Sequence, residues 1–256
     1  MNITGALELY ITALIMGILG YASWKDVNER RVENRVWVLM VCLGLPAGLL
    51  IQLAYYKEYG IPIALYSLAS SAITCTIAVL LFQLGLYGGA DAKAMIALSL
   101  IRPLKIWGNS VDLVPITTFA NSVVLSLSAI VPILGWNTYM HFVRHVKLFE
   151  GYEAGLPTKI LVLITSIKVK KKELARSMDK YIVIEEWKNG KKYLRPKIKY
   201  DEQSTVTHSS QEEYVWVTPT LPFILFILLG YILTLMNVNL ALNLAKMLVA
   251  PIIDKL

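Results

Sequence analysis

The chain has 256 residues, of which 56% are hydrophobic, and a mean hydropathy of +0.55, so an ordinary soluble globular domain is excluded. The apolar residues come in blocks of about 20, the length that crosses a hydrocarbon core about 30 Å thick, which predicts a multi-span membrane protein. The net charge of +7 does not indicate a nucleic-acid partner, because no recognition motif accompanies it.

The first 84 residues predict three spans separated by short polar loops. The loop Lys25–Arg35 carries four Lys or Arg residues. The second span contains Gly44-x-x-x-Gly48, a pattern typical of close helix packing in lipid. Serines and threonines along the third span favour the same interpretation. The three spans run from about Ile3 to Trp24, Val36 to Tyr56 and Ile61 to Leu84.

The stretch "GGADAKAM" (Gly88–Met95) places an aspartate and a lysine beside apolar tracts. The apolar run after it, Ala92–Ile101, is barely long enough for a fourth span, so we expect it to tilt, to pack against neighbours or to thin the bilayer. A fifth span is predicted over Leu113–Trp136.

The segment from His141 to Tyr214 differs in kind, with 15 Lys or Arg against 10 Asp or Glu. Asn189-Gly190, between two β-prone stretches of Tyr181–Tyr200, predicts a hairpin. The basic charge favours a cytoplasmic location and contact with anionic lipid. We therefore expect residues 1–140 to hold five membrane helices, 141–214 a soluble domain, and 215–256 a sixth helix and an apolar tail.

The last predicted span is Trp216–Met236, with Trp216 at the membrane interface, and the tail is a candidate for a helix lying on lipid. The predicted fold class is mainly α, a polytopic membrane protein with about six transmembrane helices and a small soluble α+β insert. Cys42 and Cys75 lie inside apolar runs, which favours two buried thiols over a disulfide framework or a zinc site.

Loop charge predicts the orientation in the cell membrane. Placing Lys25–Arg35 in the cytoplasm also places "GGADAK" and the soluble segment there, and sends the N-terminus outside. Arg102 and Lys105 do not follow this rule, since the orientation places both positive charges on the outer side. Asp26, after the first span, and Asp91, before the fourth, then enter the helix bundle at the same membrane face.

Two carboxyl groups at one depth predict a specific chemistry if they come close. One pKa of such a pair rises, and the pair shares a proton. One group then accepts a proton from water while the other donates one, which is the chemistry of aspartic proteases and needs no metal or cofactor. The spacing of either acid alone favours an ordinary solvated loop carboxylate instead.

The two acid motifs resemble those of the type IV prepilin peptidases and related GxGD intramembrane aspartic proteases. "GGAD" (Gly88, Gly89, Ala90, Asp91) followed by Lys93 is similar to the GxGD motif. Asp26, Val32 and Asn34 repeat the pattern of an Asp, an aliphatic residue six positions on and an Asn eight positions on. The overall plan resembles the archaeal preflagellin and prepilin peptidases, or class III signal peptidases.

The resemblance implies that Asp26 and Asp91 are the catalytic pair, supported by Gly88, Gly89, Ala90, Lys93 and Asn34. It implies removal of a short basic leader from archaellin or pilin-like precursors at the cytoplasmic membrane face, without cofactor or metal. Two positions depart from the pattern. Ala90 stands where the motif has glycine, and Glu33 stands where the bacterial pattern has proline.

Two other functions are compatible with the sequence. A small transporter or channel would use Asp91 as an ion or proton site, although no internal repeat is evident. A non-catalytic membrane scaffold would present the soluble segment to a cytoplasmic partner.

Overall fold

The computed structural model describes residues 3–108, 110–176, 180–188, 191–195 and 213–253. The chain forms two compact units, Met1–Ser126 with Pro222–Leu256, and Leu127–Leu221. The predicted division at residues 140 and 214 stays a prediction about membrane and soluble parts, since the compact units divide at other positions.

The first unit is a helix bundle built from the predicted apolar blocks. Its N-terminal part contains α1 (Ile3–Glu29), α2 (Asn34–Tyr59), α3 (Ile61–Gln83), α4 (Gly89–Ile101), the antiparallel pair β1 (Lys105–Trp107) and β2 (Ser110–Asp112), and α5 (Val114–Ser126). Apolar side chains point in every direction around these helices, and many of them are exposed, as expected for helices that face lipid.

The second unit is a mixed α and β structure. It contains a 3₁₀ turn (Leu127–Ala129), α6 (Ile130–Phe142), β3 (Tyr152–Glu153), α7 (Leu156–Thr165), β4 (Ile167–Lys170), α8 (Lys171–Arg176), β5 (Tyr181–Val183), β6 (Glu185–Lys188), β7 (Lys191–Leu194) and β8 (Tyr214–Pro219). The strands form two three-stranded sheets, with orders β3-β7-β6 and β4-β8-β5. The fully buried Trp216 ring stacks on Phe149 at a centroid distance of 5.3 Å.

The chain returns to the first unit as α9 (Phe223–Leu235) and α10 (Leu240–Ile253). Trp216 does not open the last span as predicted, because it lies in β8 and is completely buried. The turn predicted at Asn189-Gly190 lies outside the described residues, while β6 and β7 on its two sides pair antiparallel, Lys188 opposite Lys191.

The mainly helical membrane architecture with a small sheet-containing region is confirmed, but the count of six spans is not. In the described part of the chain, four helical stretches are long and apolar enough to cross a membrane. Helices α9 and α10 give a fifth only as a pair bent by 75°. Helix α4 has 13 residues, about 20 Å at 1.5 Å per residue, which is too short. The four stretches are Ile3–Glu29, Asn34–Tyr59, Ile61–Gln83 and Val114–Phe142.

Glycines and hydroxyls hold the helices of the first unit close together. A Cβ at Gly48 would lie 2.3 Å from the carbonyl oxygen of Ile101, and one at Gly44 would lie 2.9 Å from the Ile101 side chain. The α2 glycine pair is thus the packing face that its spacing predicted. The hydroxyl of Ser71 donates to the carbonyl of Ser99 in α4 at 2.8 Å, so a hydroxyl of α3 does join two helices.

A buried ionic cluster lies near the start of α1. Arg102, which is only 3% exposed, forms an ion pair with Glu8 and donates to the hydroxyls of Thr12 at 2.7 Å and Tyr231 at 2.8 Å. The hydroxyl of Tyr55 donates to Glu8 at 2.8 Å. The cluster therefore links α1, α2, α9 and the end of α4, and the positive charge of Arg102 is compensated inside the bundle rather than exposed in a loop.

Candidate active site

Asp26 lies in the last turn of α1, half-buried, one turn after the buried Ala22 and Ser23. The helix ends through Arg30, which adopts a left-handed conformation with φ of 54° and whose N–H donates to the carbonyl of Asp26 at 3.1 Å. Glycine usually occupies this position, and a side chain there costs about 1 kcal/mol. In this conformation the Arg30 guanidinium interacts electrostatically with the Asp26 carboxyl.

Asp91 lies in the first turn of α4, where its carboxyl accepts a hydrogen bond from the N–H of Gly88 at 3.1 Å. An acid in the first turn also interacts favourably with the positive end of the helix dipole. A Cβ at Gly88 would lie 2.8 Å from the Asp91 Oδ2, whereas one at Gly89 would meet Phe82 at an ordinary 3.5 Å. A side chain at position 88 would therefore displace the Asp91 carboxyl group from this position.

The two departures from the motif have a structural explanation. Ala90 lies inside helix α4 and has no positive φ, so no conformation reserved for glycine is needed there. Glu33 precedes α2 with φ of −67°, the angle that proline would have fixed. Lys25 forms ion pairs with Glu33 at 3.6 Å and with Glu29 at 3.2 Å, and the first of these connects the end of α1 to the start of α2.

Helices α1 and α4 pack against each other, and this brings the two aspartates to one end of the bundle. The charges of Asp26 and Asp91 are close enough to interact, and the Arg30 guanidinium interacts with both. The backbone amide of Ile224, in the first turn of α9, faces the Asp26 carboxyl. Three helix ends therefore surround the pair of acids.

Asn34 and Lys93 lie at the exposed rim of this site. The Lys93 ammonium donates to the Asn34 side-chain oxygen at 2.7 Å, and Asn34 is the first residue of α2. The bond joins the first turn of α2 to the second turn of α4. These two supporting residues of the motif thus contact each other, and they brace the two helices rather than the acids themselves.

Three features of the site were not predicted from the sequence. They are Arg30, the Ile224 amide and Tyr87. The Tyr87 ring packs on Phe223 at 4.9 Å and on Phe119 at 6.0 Å, and its buried hydroxyl has no hydrogen-bond partner among the described residues. The position of Tyr87 immediately before "GGAD" was a usable signal, whereas nothing in the apolar run around Ile224 indicated a contact with Asp26.

The arrangement can perform acid–base chemistry on a bound water. Two carboxyl groups lie within electrostatic range of each other, one faces a helix N-terminus, and a guanidinium can compensate a negative charge on either. In the described part of the chain, no group of three His, Cys, Asp or Glu residues has a metal-binding arrangement.

Comparisons with known proteins show which proteins the whole chain is similar to. The sequence model of the type IV leader peptidase family matches residues 13–136, a range that contains both aspartates. A preflagellin peptidase of Methanococcus voltae is 28% identical over 87% of this chain and 93% of its own. A preflagellin peptidase of Methanococcus maripaludis is 25% identical over 86% of this chain and 92% of its own length. A preflagellin peptidase of Methanocaldococcus jannaschii is 26% identical over 86% of this chain and 91% of its own length.

Proposed function

We propose that this chain, whose residues 13–136 match the sequence model of the type IV leader peptidase family, is a membrane aspartic endopeptidase with Asp26 and Asp91 as its catalytic pair. Its substrates are precursors with class III signal peptides, of the archaellin or type IV pilin kind, from which it removes the short basic leader. The similarity to preflagellin peptidases over most of the chain supports this substrate class.

One observation carries the proposal. The carboxyl groups of Asp26 and Asp91 come from helices far apart in sequence and yet interact electrostatically at one end of the bundle. Two acids so placed share a proton more readily than they ionise together. The ion pair at the other end of the bundle joins Arg102 to Glu8. Neither aspartate takes part in it, so the approach of the two aspartates is not a consequence of that ion pair.

The reaction proceeds as general acid–base hydrolysis. The ionised carboxylate accepts a proton from water as the water oxygen bonds to the peptide carbonyl carbon, while the protonated carboxyl donates to the carbonyl oxygen. The protonated carboxyl then donates its proton to the amine as the C–N bond breaks, and a hydroxyl of the tetrahedral intermediate gives its proton to the ionised carboxylate, which restores the singly protonated pair. Arg30 limits the accumulation of negative charge between the acids.

The orientation follows from the loop charges. The basic loop Lys25–Arg35 and both acids occupy the cytoplasmic side by the positive-inside rule, so the site faces the side on which a basic leader remains. The buried ion pair of Arg102 with Glu8 removes one of the two charges that disagreed with this orientation.

The test is cleavage of a purified precursor by membranes containing the protein. Asp26→Asn and Asp91→Asn are each expected to reduce the rate by at least about 1,000-fold, because the pair acts as a unit and a single amide removes its base or its acid. Wild-type cleavage by either variant would contradict the assignment.

A matched control is Asp112→Asn. Asp112 ends strand β2 and accepts a hydrogen bond from Thr117 at 2.5 Å, so it is an acid of the same unit outside the proposed site. Cleavage by this variant is expected at the wild-type rate. Ion flux through proteoliposomes without any cleavage would favour the transporter instead.

A further inference from the structure

A concave surface in the second unit lies beside the end of α6. This helix completes the apolar stretch Val114–Phe142. Trp136 and Tyr139 lie in its last turns and are 41% and 38% exposed. Aromatic residues at the end of a span lie at the level of the lipid headgroups, and Arg144 is the second residue after the helix. This end of α6 therefore has the composition of a membrane interface.

Two hydrogen bonds fix strand β4 at the same level. The indole N–H of Trp136 donates to the carbonyl of Lys168 at 3.0 Å. The Asn137 amide, which is nearly fully buried, donates to the carbonyl of Ser166 at 2.8 Å. Since Lys168 and Lys170 belong to this strand, both lysines are held beside the aromatic end of α6.

The cavity between α6 and β4 has a volume of about 420 Å³, within the range of small-molecule sites. One wall is apolar and aromatic, with Trp136 and Tyr139, and the other carries the cations Arg144, Lys168 and Lys170. Glu173 is the acid that lines it. The cavity thus combines an apolar wall with an excess of positive charge.

Arg144 is oriented by a neutral partner. Its Nε donates to the Tyr139 hydroxyl at 3.0 Å, and the guanidinium carbon lies 5.7 Å from the centre of that ring. In the described part of the chain, no carboxylate lies within ion-pair distance of Arg144. Lys170, in contrast, is paired with Glu213 at 2.8 Å. Arg144 therefore offers a preoriented guanidinium, the group best matched to a phosphate.

We propose that this cavity binds the phosphate group of an anionic membrane lipid. Arg144 and Lys170 bind the phosphate, and the rings of Trp136 and Tyr139 contact the glycerol and the first methylenes. The Lys168 ammonium, which donates to the carbonyl of Lys147 at 3.1 Å, adds positive charge beside them. The acyl chains run along the exposed apolar face of α6, which includes Val131 (72% exposed) and Leu134 (40%). A cavity for soluble phosphate would have no need of this apolar continuation, and the excess positive charge disfavours a choline headgroup.

The experiment measures lipid retention by the full-length protein. Protein in detergent micelles is supplied with equimolar phosphatidylglycerol and phosphatidylcholine of identical chains, and the bound lipids are identified by native mass spectrometry. Wild type is expected to retain phosphatidylglycerol preferentially. Arg144→Gln is expected to weaken this retention about tenfold, the loss of one charge-assisted contact, and Arg144→Lys less.

The matched control is Lys172→Gln, an exposed cation two residues beyond Lys170 that does not line the cavity. It is expected to retain phosphatidylglycerol as wild type does. Equal retention of both lipids, or an equal effect of Arg144→Gln and Lys172→Gln, would overturn the proposal. So would displacement of phosphatidylglycerol by tens of millimolar inorganic phosphate, which would indicate a site for small anions instead.

Discussion

At the scale of single residues, the site depends on how closely Gly88 approaches Asp91. Gly88 has φ of −69°, which any residue can adopt, so conformational freedom is not the reason for glycine. The reason is the 2.8 Å that would separate a Cβ at this position from the Asp91 Oδ2. The role of small residues around the acid could be predicted from the sequence, but the different demands at positions 88, 89 and 90 depend on distances that no local pattern contains.

This difference yields a paired prediction. Gly88→Ala is expected to reduce precursor cleavage by about 10- to 100-fold, because the methyl group displaces a carboxyl that needs sub-ångström placement. Gly89→Ala is expected to keep most of the activity, because its Cβ makes only an ordinary contact with Phe82 at 3.5 Å. Initial cleavage rates of both variants, at matched thermal stability, check this. Similar losses in the two variants would contradict it.

Glu185, in the second unit, is a partly buried acid that is not part of the candidate site. It accepts hydrogen bonds from the Tyr152 hydroxyl at 2.5 Å and the Trp216 N–H at 2.6 Å. Burial raises the pKa of its carboxyl, and this outweighs the opposing effects of the hydrogen bonds and of Lys192 and Lys168. The folded state therefore binds the proton of Glu185 more tightly than the unfolded state does.

A raised pKa in the folded state has a defined consequence for stability. The contribution of Glu185 is fully present below its unfolded pKa, and it is lost as pH rises through the folded pKa. We expect Glu185→Gln to abolish this loss and to make strand β8 less sensitive to pH above about 4.3, the unperturbed value. Hydrogen exchange of the Trp216 amide in the full-length protein, at several pH values, measures it. An unchanged pH profile in the variant would contradict the prediction.

At the scale of elements, the apolar blocks predicted α1, α2 and α3 well, because each is a long uninterrupted run. The start of α9 could not be predicted, because "WVTPTLPFIL" has no charged residue to mark a boundary and its first half is also β-prone. Residues 214–219 form a strand because they pair with β4 and β5. Such long-range pairing cannot be recognised from a local sequence pattern. As a result, the Ile224 amide near Asp26 was missed as well.

Helix α9 packs on α5 more closely than a side chain allows. A Cβ at Gly230 would lie 2.6 Å from the carbonyl oxygen of Thr118 and 2.4 Å from the Ser122 hydroxyl. Gly230→Ala is therefore expected to lower the free energy of unfolding by about 1–3 kcal/mol. Thermal unfolding in detergent measures the loss.

The control for this substitution is Gly17→Ala in α1, where a Cβ would meet nothing within 4 Å. This variant is expected to be neutral or stabilising by up to about 1 kcal/mol, since alanine favours helix more than glycine does. If Gly230→Ala were as stable as Gly17→Ala, close packing of α5 and α9 would not be a determinant of the fold.

At the scale of the whole first unit, the two ends of the bundle are built differently. Glu8 and Asp26 lie about 27 Å apart along α1, at 1.5 Å per residue. The Glu8 end contains an ion pair in which Glu8 accepts a hydrogen bond from the Tyr55 hydroxyl and Arg102 donates to the hydroxyls of Thr12 and Tyr231. The Asp26 end has one carboxyl oxygen that is buried without a hydrogen-bond partner among the described residues. The Glu8 end is therefore suited to stabilising the bundle, and the Asp26 end to acid–base catalysis.

The ion pair yields a prediction for stability. Arg102→Leu is expected to destabilise the protein by about 3–5 kcal/mol, because it leaves Glu8 charged and uncompensated in the interior. The double variant Glu8→Leu, Arg102→Leu is expected to recover part of this loss, since two apolar side chains leave no buried charge. Thermal unfolding of the single and double variants forms a double-mutant cycle. A double variant no more stable than Arg102→Leu would contradict the prediction.

The 13 residues of α4 also bear on how a hydrolase obtains its second reactant. A helix of about 20 Å in a layer of about 30 Å leaves room for a local depression of the bilayer, and Asp91 lies at the end of that helix. Such a depression admits water to a depth that straight, full-length helices would keep dry. The supply of water for hydrolysis would thus be set by the length of one helix, and cleavage would slow in bilayers of longer acyl chains.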